Sequence, residues 1–377
     1  MNRKVIVFGG NHHNTLGVVR SLGEKGIRSD ILIEQDGPSF VEKSRYVNKR
    51  LNPNKNIIEF LIEAYHNEEE KPVLFCTSDS SIELIDSNYN LLKSYFYCFN
   101  AGVEGRISFY LNKNEMQNLA IKSGLTCPKS WLLSSNATIP EDIVFPCIAK
   151  PLNSTDGVKA DITICNTKEE LKAALSKNII YQVQELIEKD FELNLTALSI
   201  NHGNNLIIPG IIRKIREFPI KKGMTSLSVL EPCSKYPFIN IDSIKEFVKM
   251  IGFEGLFSVE FVVKGQTGYF LEINMRNDGN GYAPTCAGIN LPYLWYQYTC
   301  NKKIDVNQKS SYLPLYIMCE YVDFWYFVKK YISFKSWLHD VKMTKCFLLY
   351  NSKDLKPFFN FTIRRIAHKL GLSNVAV

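Results

Sequence analysis

The stretch FSVEFVVKGQTGYFLEINMR, residues 257–276, decides how the rest of this chain is read. Two β-branched and aromatic runs flank a turn signal holding Gly265 and Gly268, the pattern of a β-hairpin. Folded about Gln266, the hairpin sets Glu260 directly across from Glu272. Opposed residues of an antiparallel pair lie about 4.5–5.5 Å apart at Cβ, and like charges repel there. A cation in the gap removes the conflict, and Mg²⁺ is a hard ion that takes carboxylate oxygens while sharing its shell with phosphates. Side chains alternate along a strand, so Glu272, Asn274 and Arg276 leave from one face. Phe257, Val259, Phe261, Leu271 and Ile273 make the other face apolar. The patch suits a metal-bound polyphosphate, with Glu260, Glu272 and Asn274 on the metal and Arg276 forking onto phosphate oxygens. The competing reading is a solvated hairpin with two surface glutamates. The apolar opposite face and the polar continuation RNDGNG weigh against it.

Around this hairpin lie 377 residues, enough for two to three domains. Hydrophobic residues at 45% and charged residues at 22% are ordinary for a globular protein. MNRKVIVFGGNHHN runs straight into a strand and a polar turn, so no signal peptide is expected. No run reaches the roughly 18 apolar residues of a membrane span. The ten cysteines show no CxxC spacing, which indicates neither a zinc site nor a disulfide framework. Cys76, Cys98, Cys147, Cys165 and Cys346 lie in apolar runs as core fillers. The expected location is the cytoplasm. Net charge is +7, but residues 301–377 hold 13 Lys or Arg against 5 Asp or Glu, so the first 300 are near −1. A nucleic-acid enzyme with a basic cleft is therefore not expected.

Residues 4–10, KVIVFGG, form an apolar strand ending in glycines. A helix Thr15–Lys25, a strand Ser29–Ile33, and the buried strand PVLFCTSD at 72–79 follow. This alternation implies a parallel doubly wound sheet, whose ligands sit beyond the carboxyl ends of its strands. Gly9–Asn14 and Thr77–Ser80 fall there. GGNHHNTLG does not spell GxGxxG, so a dinucleotide site is not indicated. His12 and His13 either touch an anionic substrate or fill a polar turn.

Asn112-x-x-Glu115 is a capping box opening a helix that Gly124 closes. Lys113 at its N-terminus opposes the helix dipole, which an anion would offset; the alternative is a solvated lysine. FPCIAKP at 145–151 is an apolar strand carrying Lys150, and a lysine is rarely buried without a partner. NSTDGVK at 153–159 is a polar loop whose backbone N–H groups can cradle phosphates. YQVQELI runs into an acidic hinge and then the strand FELNLTALSI. In GIIRKIREFP, Arg213 shares a face with Ile211 and Ile215, so it points into a site or pairs with an acid. The loop 277–290 offers Asn277, Asp278 and Asn280 to a substrate. The tail holds 15 aromatic residues in 77, joined to Lys and Arg. That composition fits a bilayer interface or lipid-linked substrate, or a helical cap with snorkelling lysines; the cap is favoured.

The run E-I-N-M-R, with a glutamate twelve residues upstream, resembles the metal and phosphate signature of the ATP-grasp superfamily. The resemblance covers roughly residues 1–300. It is closest to stand-alone carboxylate–amine ligases of the D-aspartate ligase and surface-polysaccharide kind. It implies an α/β protein, α+β in its catalytic part. A Rossmann-like pre-ATP-grasp domain would take residues 1–108 and an ATP-grasp domain 109–300. Residues 301–377 would be the basic aromatic extension. It further implies ATP with Mg²⁺ or Mn²⁺. Lys113 and Lys150 would reach the phosphates, under a flexible loop whose single glycine is Gly157. Gln184, Glu185, Leu186 and Ile187 would line the adenine slot, and Asp190 or Glu192 would take the ribose hydroxyls. The implied reaction makes an acyl-phosphate from a small carboxylate and gives an amide with a small amine, with Arg213 stabilising the oxyanion. Alternatives are a phosphotransferase acting on a hydroxyl and a non-catalytic ATP-binding protein.

Overall fold

The first strand, β1 (Val5–Gly9), is five residues buried without a break. Such a run belongs to a sheet covered on both faces. Its partners are β2 (Ser29–Ile33), β3 (Val47–Leu51), β4 (Val73–Cys76) and β5 (Tyr97–Cys98), all parallel in the order β3-β2-β1-β4-β5. The order reverses between β1 and β4, which opens a crevice at their carboxyl ends. The two loops there are knitted by Thr15 Oγ1 and Thr77 Oγ1 at 2.7 Å. Gly9 is required at this approach, because a Cβ there would meet Thr77 Oγ1 at 2.0 Å. The first helix is His13–Gly23, earlier than expected, because His12 itself is its N-cap.

The computed structural model describes residues 3–135, 137–152, 162–176, 178–220 and 223–369. Gly157 and the loop around it lie outside the described residues. After the parallel domain come β6 (Ser130–Ser134), β7 (Cys147–Pro151), β8 (Thr163–Cys165) and β9 (Ile180–Glu185). They form an antiparallel sheet in the order β6-β9-β7-β8, with its own small core around Cys147, Leu171 and Val183. The larger sheet is built from β10 (Phe191–Ile200), β11 (Asn205–Ile207), β12 (Ile211–Phe218), β13 (Met224–Glu231), β14 (Gly255–Lys264), β15 (Thr267–Asn274), β16 (Leu315–Met318) and β17 (Cys346–Phe347). Its path runs β15-β14-β10-β12-β13-β16-β17, with β11 on β10. The five cysteines expected as core fillers are all buried.

The tail, expected as a helical cap, does hold helices but also completes the larger sheet. β16 pairs antiparallel with β13, and β17 pairs parallel with β16. Further on, Asp354 lies against Arg20 of the first helix, N to O 3.0 Å, both fully buried. Arg20 also donates to the carbonyls of Leu348, Leu349 and Asp354, and Asp354 accepts from Ser44 and the Arg45 amide. A buried charge stays buried only with its partner, and breaking such a pair costs about 3–5 kcal/mol. The tail is thereby clamped to the N-terminal domain. Among the described residues no helix is long and apolar enough to cross a membrane.

Candidate active site

The hairpin forms with a two-residue turn at Gly265–Gln266, since Lys264 pairs with Thr267. Continued without interruption, that register would set Glu260 opposite Leu271. A bulge between Phe261 and Glu260 takes up one residue of β15, and Glu260 then faces Glu272, with Ser258 facing Asn274. The bulge thus brings the two carboxylates together, a common use of bulges beside active sites. It also changes one expected side. Phe270, not Leu271, packs on the apolar face against Phe261, and Leu271 lines the cleft.

Burial and the facing Glu272 push the Glu260 carboxyl well above the ordinary range, Asp278 adding to the effect and Lys214 opposing it. Two carboxylates forced together in this way want a cation between them. The donors are hard oxygens, which suits Mg²⁺. Among the described residues no three His, Cys, Asp or Glu side chains converge on one point, so a cation here would take its remaining ligands from the Asn274 amide, water or phosphate. Asn274 as placed donates through Nδ2 toward Glu260 at 3.4 Å, and its Oδ1 accepts from Arg276 at 3.2 Å. Rotating the amide would turn its oxygen toward the gap.

These groups open onto a cleft of about 810 Å³. Lys150 stands on its other wall at the end of β7. Burial brings its pKa down to about 8, with Lys113 nearby acting in the same direction and Glu272 against it. Its ammonium donates to Gln184 at 3.1 Å, and Gln184 belongs to a buried amide network with Gln117 and Gln182. Lys113 begins the helix Lys113–Lys122 behind the Asn112 cap and donates to the carbonyls of Pro151 and Leu152, both at 3.2 Å. Arg276 crosses to the N-terminal domain and forks onto Asp79, with Nε at 2.6 Å. His12, His13, Asp278 and Asn280 line the same cleft, and Asn277 turns to the Asn14 carbonyl instead. Burial lowers both histidines, so they stand neutral near pH 7. His13 Nδ1 meets the hydroxyl of Tyr321 from the tail at 3.0 Å.

Some expected residues are not brought to the cleft. Arg213 lies on the opposite face of β12 and pairs with Glu231, Nε to O 3.5 Å. Asp190 spends its carboxylate on the Gly265 amide at 2.8 Å, so of the two ribose candidates only Glu192 lines the cleft. In the hinge, the Glu185 amide donates to Lys129 and the Leu186 amide to Pro146. Among the described residues no hydrogen bond engages the Ile187 amide.

Three cleft residues escaped the sequence reading. Lys214, next to Arg213, faces inward and pairs with Glu192 and Glu217. Asn194 pairs with Glu260 across the strands, and its buried Oδ1 has no hydrogen-bond partner among the described residues. Asp79 anchors Arg276. For Asn194 the signal was present: Glu192, Asn194 and Thr196 alternate with Leu193, Leu195 and Ala197, which marks a polar face.

No family model matches the chain. Formate-dependent phosphoribosylglycinamide formyltransferase of Wolinella succinogenes is 26% identical over 151 residues, 37% of each chain. The carbamoyl phosphate synthase large chain of Saccharolobus solfataricus is 23% identical over 195 residues, 48% of this chain and 18% of that one. The chain therefore matches less than two fifths of the length of these relatives. Solved structures match over much more. N5-carboxyaminoimidazole ribonucleotide synthetase in its ADP complex superposes with a TM-score of 0.65 at 13% identity, covering 84% of this chain and 81% of that one. L-amino acid ligase from Bacillus licheniformis gives 0.61 at 14%, covering 79% and 74%. Biotin carboxylase from Campylobacter jejuni, in a β,γ-ATP complex, gives 0.61 at 16%, covering 80% and 72%. A parallel N-terminal sheet, a small antiparallel sheet, a larger mostly antiparallel one and these superpositions give this chain the ATP-grasp fold.

Proposed function

We propose that the chain is an ATP- and Mg²⁺-dependent ligase that joins a small carboxylate to an amine through an acyl-phosphate. The observation that carries this reading is the facing pair Glu260 and Glu272, set in register by the bulge and opposed across the cleft by Lys150. In this reading residues 1–108 supply the substrate end of the cleft, 109–300 the nucleotide end, and 301–377 part of its outer wall.

Glu260, Glu272 and Asn274 would hold the metal, which when bound supplies positive charge to the polyphosphate. Lys150 and Lys113 orient the phosphates from the opposite wall and offset charge that builds during in-line transfer. Glu192 and Asn194 are the groups of the cleft available to the nucleoside. Arg276, steadied by Asp79, sits where the two domains meet and stabilises the acyl-phosphate formed when the substrate carboxylate attacks the γ-phosphorus and ADP leaves with the bridging oxygen. Attack of the amine then expels phosphate and leaves an amide. No nucleophilic side chain is required, and the neutral His12 and His13 are placed to accept the proton that the amine sheds. Purified protein with ATP, Mg²⁺ and a panel of amino acids tests the reading. Release of ADP and free phosphate together with an amide is expected. A phosphorylated acceptor with no free phosphate would instead make the chain a phosphotransferase.

A further inference from the structure

The helices Glu320–Val328 and Phe334–Met343 carry a cluster of rings that belongs to none of the hydrophobic cores. Phe324, Phe327, Phe334 and Trp337 touch one another at centroid separations of 5.3 to 6.3 Å. Phe324 is 44% and Phe334 55% exposed, with Tyr331 exposed beside them. Contiguous apolar surface of this kind marks an interaction site.

The charges around the cluster are sorted. Every acid of the two helices is turned inward. Glu320 accepts from the Leu349 amide at 3.1 Å, and Arg216 holds Asp323 at 2.9 Å and Asp340 at 2.6 Å. Lys329, Lys330, Lys335 and Lys342 all stand exposed. The exposed residues of the two helices and the turn between them therefore include rings and ammonium groups and no carboxylate. The neighbouring helix Lys356–Lys369 joins it through Arg365, whose guanidinium lies over Trp325 at 5.6 Å. That helix exposes a second stripe at Phe359, Ile363 and Ile366, one helical face by spacing.

Rings at headgroup depth and lysines near lipid phosphates are how amphipathic helices hold an anionic bilayer. A second copy of the chain would bring a face of the same charge. We propose that this face docks the protein on an anionic membrane surface. The helix Glu320–Val328 starts beside the cleft, where Tyr321 meets His13, and Phe327 lies six residues on, about 9 Å at the rise of an α-helix. Docking here sets the substrate end of the cleft close to the bilayer.

Co-sedimentation of the full chain with vesicles tests this, using phosphatidylcholine alone and with one third phosphatidylglycerol. Binding to the anionic vesicles is expected, at least about tenfold tighter than to the neutral ones, and weakened by salt. Neutralising Lys329, Lys330 and Lys335 to Gln should weaken binding roughly fivefold per lysine, on the order of a hundredfold together. The pair Phe324→Ser and Phe334→Ser, at exposed positions, should weaken binding with the circular dichroism unchanged. Brominated lipid should quench tryptophan emission in the wild-type protein, and replacing Trp325 and Trp337, the two tryptophans of this face, by Phe should remove most of that quenching. These ring-for-ring changes decide the matter even if the lysine variant fails to fold. Absence of sedimentation at low salt overturns the proposal, as does quenching that survives the replacement of both tryptophans. Self-association lost in Phe334→Ser, without vesicle binding, overturns it in favour of a second copy.

Discussion

The hairpin β14–β15 and the neighbouring pair β10–β12 both send charges into the same cleft, yet only the first could be read from sequence. In the hairpin the two strands are joined by a two-residue turn, so the partner of Glu260 is fixed within a dozen residues of chain. In β12 the sequence shows Arg213, Lys214 and Arg216 in a row, and nothing local says which faces the cleft. That is decided by β10, about twenty residues upstream, where Leu193 pairs with Arg213 and Asn194 with Ile212. Local pairing is written in the sequence, whereas the choice of face is settled by a distant partner.

The largest effect belongs to the hairpin. Glu272→Ala should abolish turnover, on the order of a thousandfold or more for a group holding a catalytic ion. The fold should persist, because losing Glu272 relieves repulsion on Glu260. ADP release and thermal unfolding are the measurements. Wild-type ADP release in this variant would end the metal assignment and, with it, the contrast between the two strand pairs.

The contrast itself is tested on β12. Lys214→Ala removes the inward cation that Glu192 shares with Glu217 and leaves Glu192 with Lys189 alone, and should lower kcat/KM by on the order of tenfold to a hundredfold. Arg213→Ala breaks a pair that is one third exposed on the far face. That pair is worth about 0–1 kcal/mol of stability, and turnover should change by less than about threefold. If Arg213→Ala is the more damaging variant, the cleft-facing side of β12 has been misassigned.

The same division runs through the rest of the molecule. In the parallel N-terminal sheet β1, β2 and β4 were legible because they are buried runs between helices, whereas the polar edge strand Val47–Leu51 and the two-residue Tyr97–Cys98 were not. The carboxylate pair was legible too, although the symmetric turn assumed for it is in fact a tighter turn plus a bulge. Arg276 was legible as a member of the site, but its fork onto Asp79 joins residues almost two hundred apart. The strand Leu315–Met318 is only four residues inside an aromatic segment, too short for its period to show. The clamp of Arg20 on Asp354 spans 334 residues and leaves no local trace.

A smaller effect sharpens the reading of the opposite wall. Lys150 loses its proton near pH 8 in the free protein, below the ordinary lysine value of 10.5. A phosphate binds the charged form, so nucleotide affinity should be constant below pH 8 and fall above it, by at most about tenfold per pH unit. The same depressed pKa means the unfolded chain holds the proton that the folded one has shed between pH 8 and 10.5. Lys150 itself therefore adds stability as pH rises through that window and subtracts it below. Lys150→Arg stays charged and should keep its affinity above pH 8. Equal pH dependence in wild type and this variant would place the titrating group elsewhere.

The smallest effect concerns Asp190, where hairpin and hinge meet. Its amide donates to the Val263 carbonyl at 2.7 Å and its carboxylate accepts from the Gly265 amide at 2.8 Å. It therefore ties β10 to the turn of the hairpin. Asp190→Ala keeps the first bond and loses the second, which is solvent-exposed. A single hydrogen bond of this kind is worth about 0.5–1.5 kcal/mol, visible as a small drop in the unfolding midpoint. Nucleotide affinity should stay within about twofold, because the lost group faces the turn. Glu192→Ala should do the reverse, weakening nucleotide while freeing Lys214 and Lys189 at the surface of β10. If Asp190→Ala loosens nucleotide and leaves stability untouched, the ribose lies against the turn, and the hinge extends into the hairpin whose register brings the two carboxylates together.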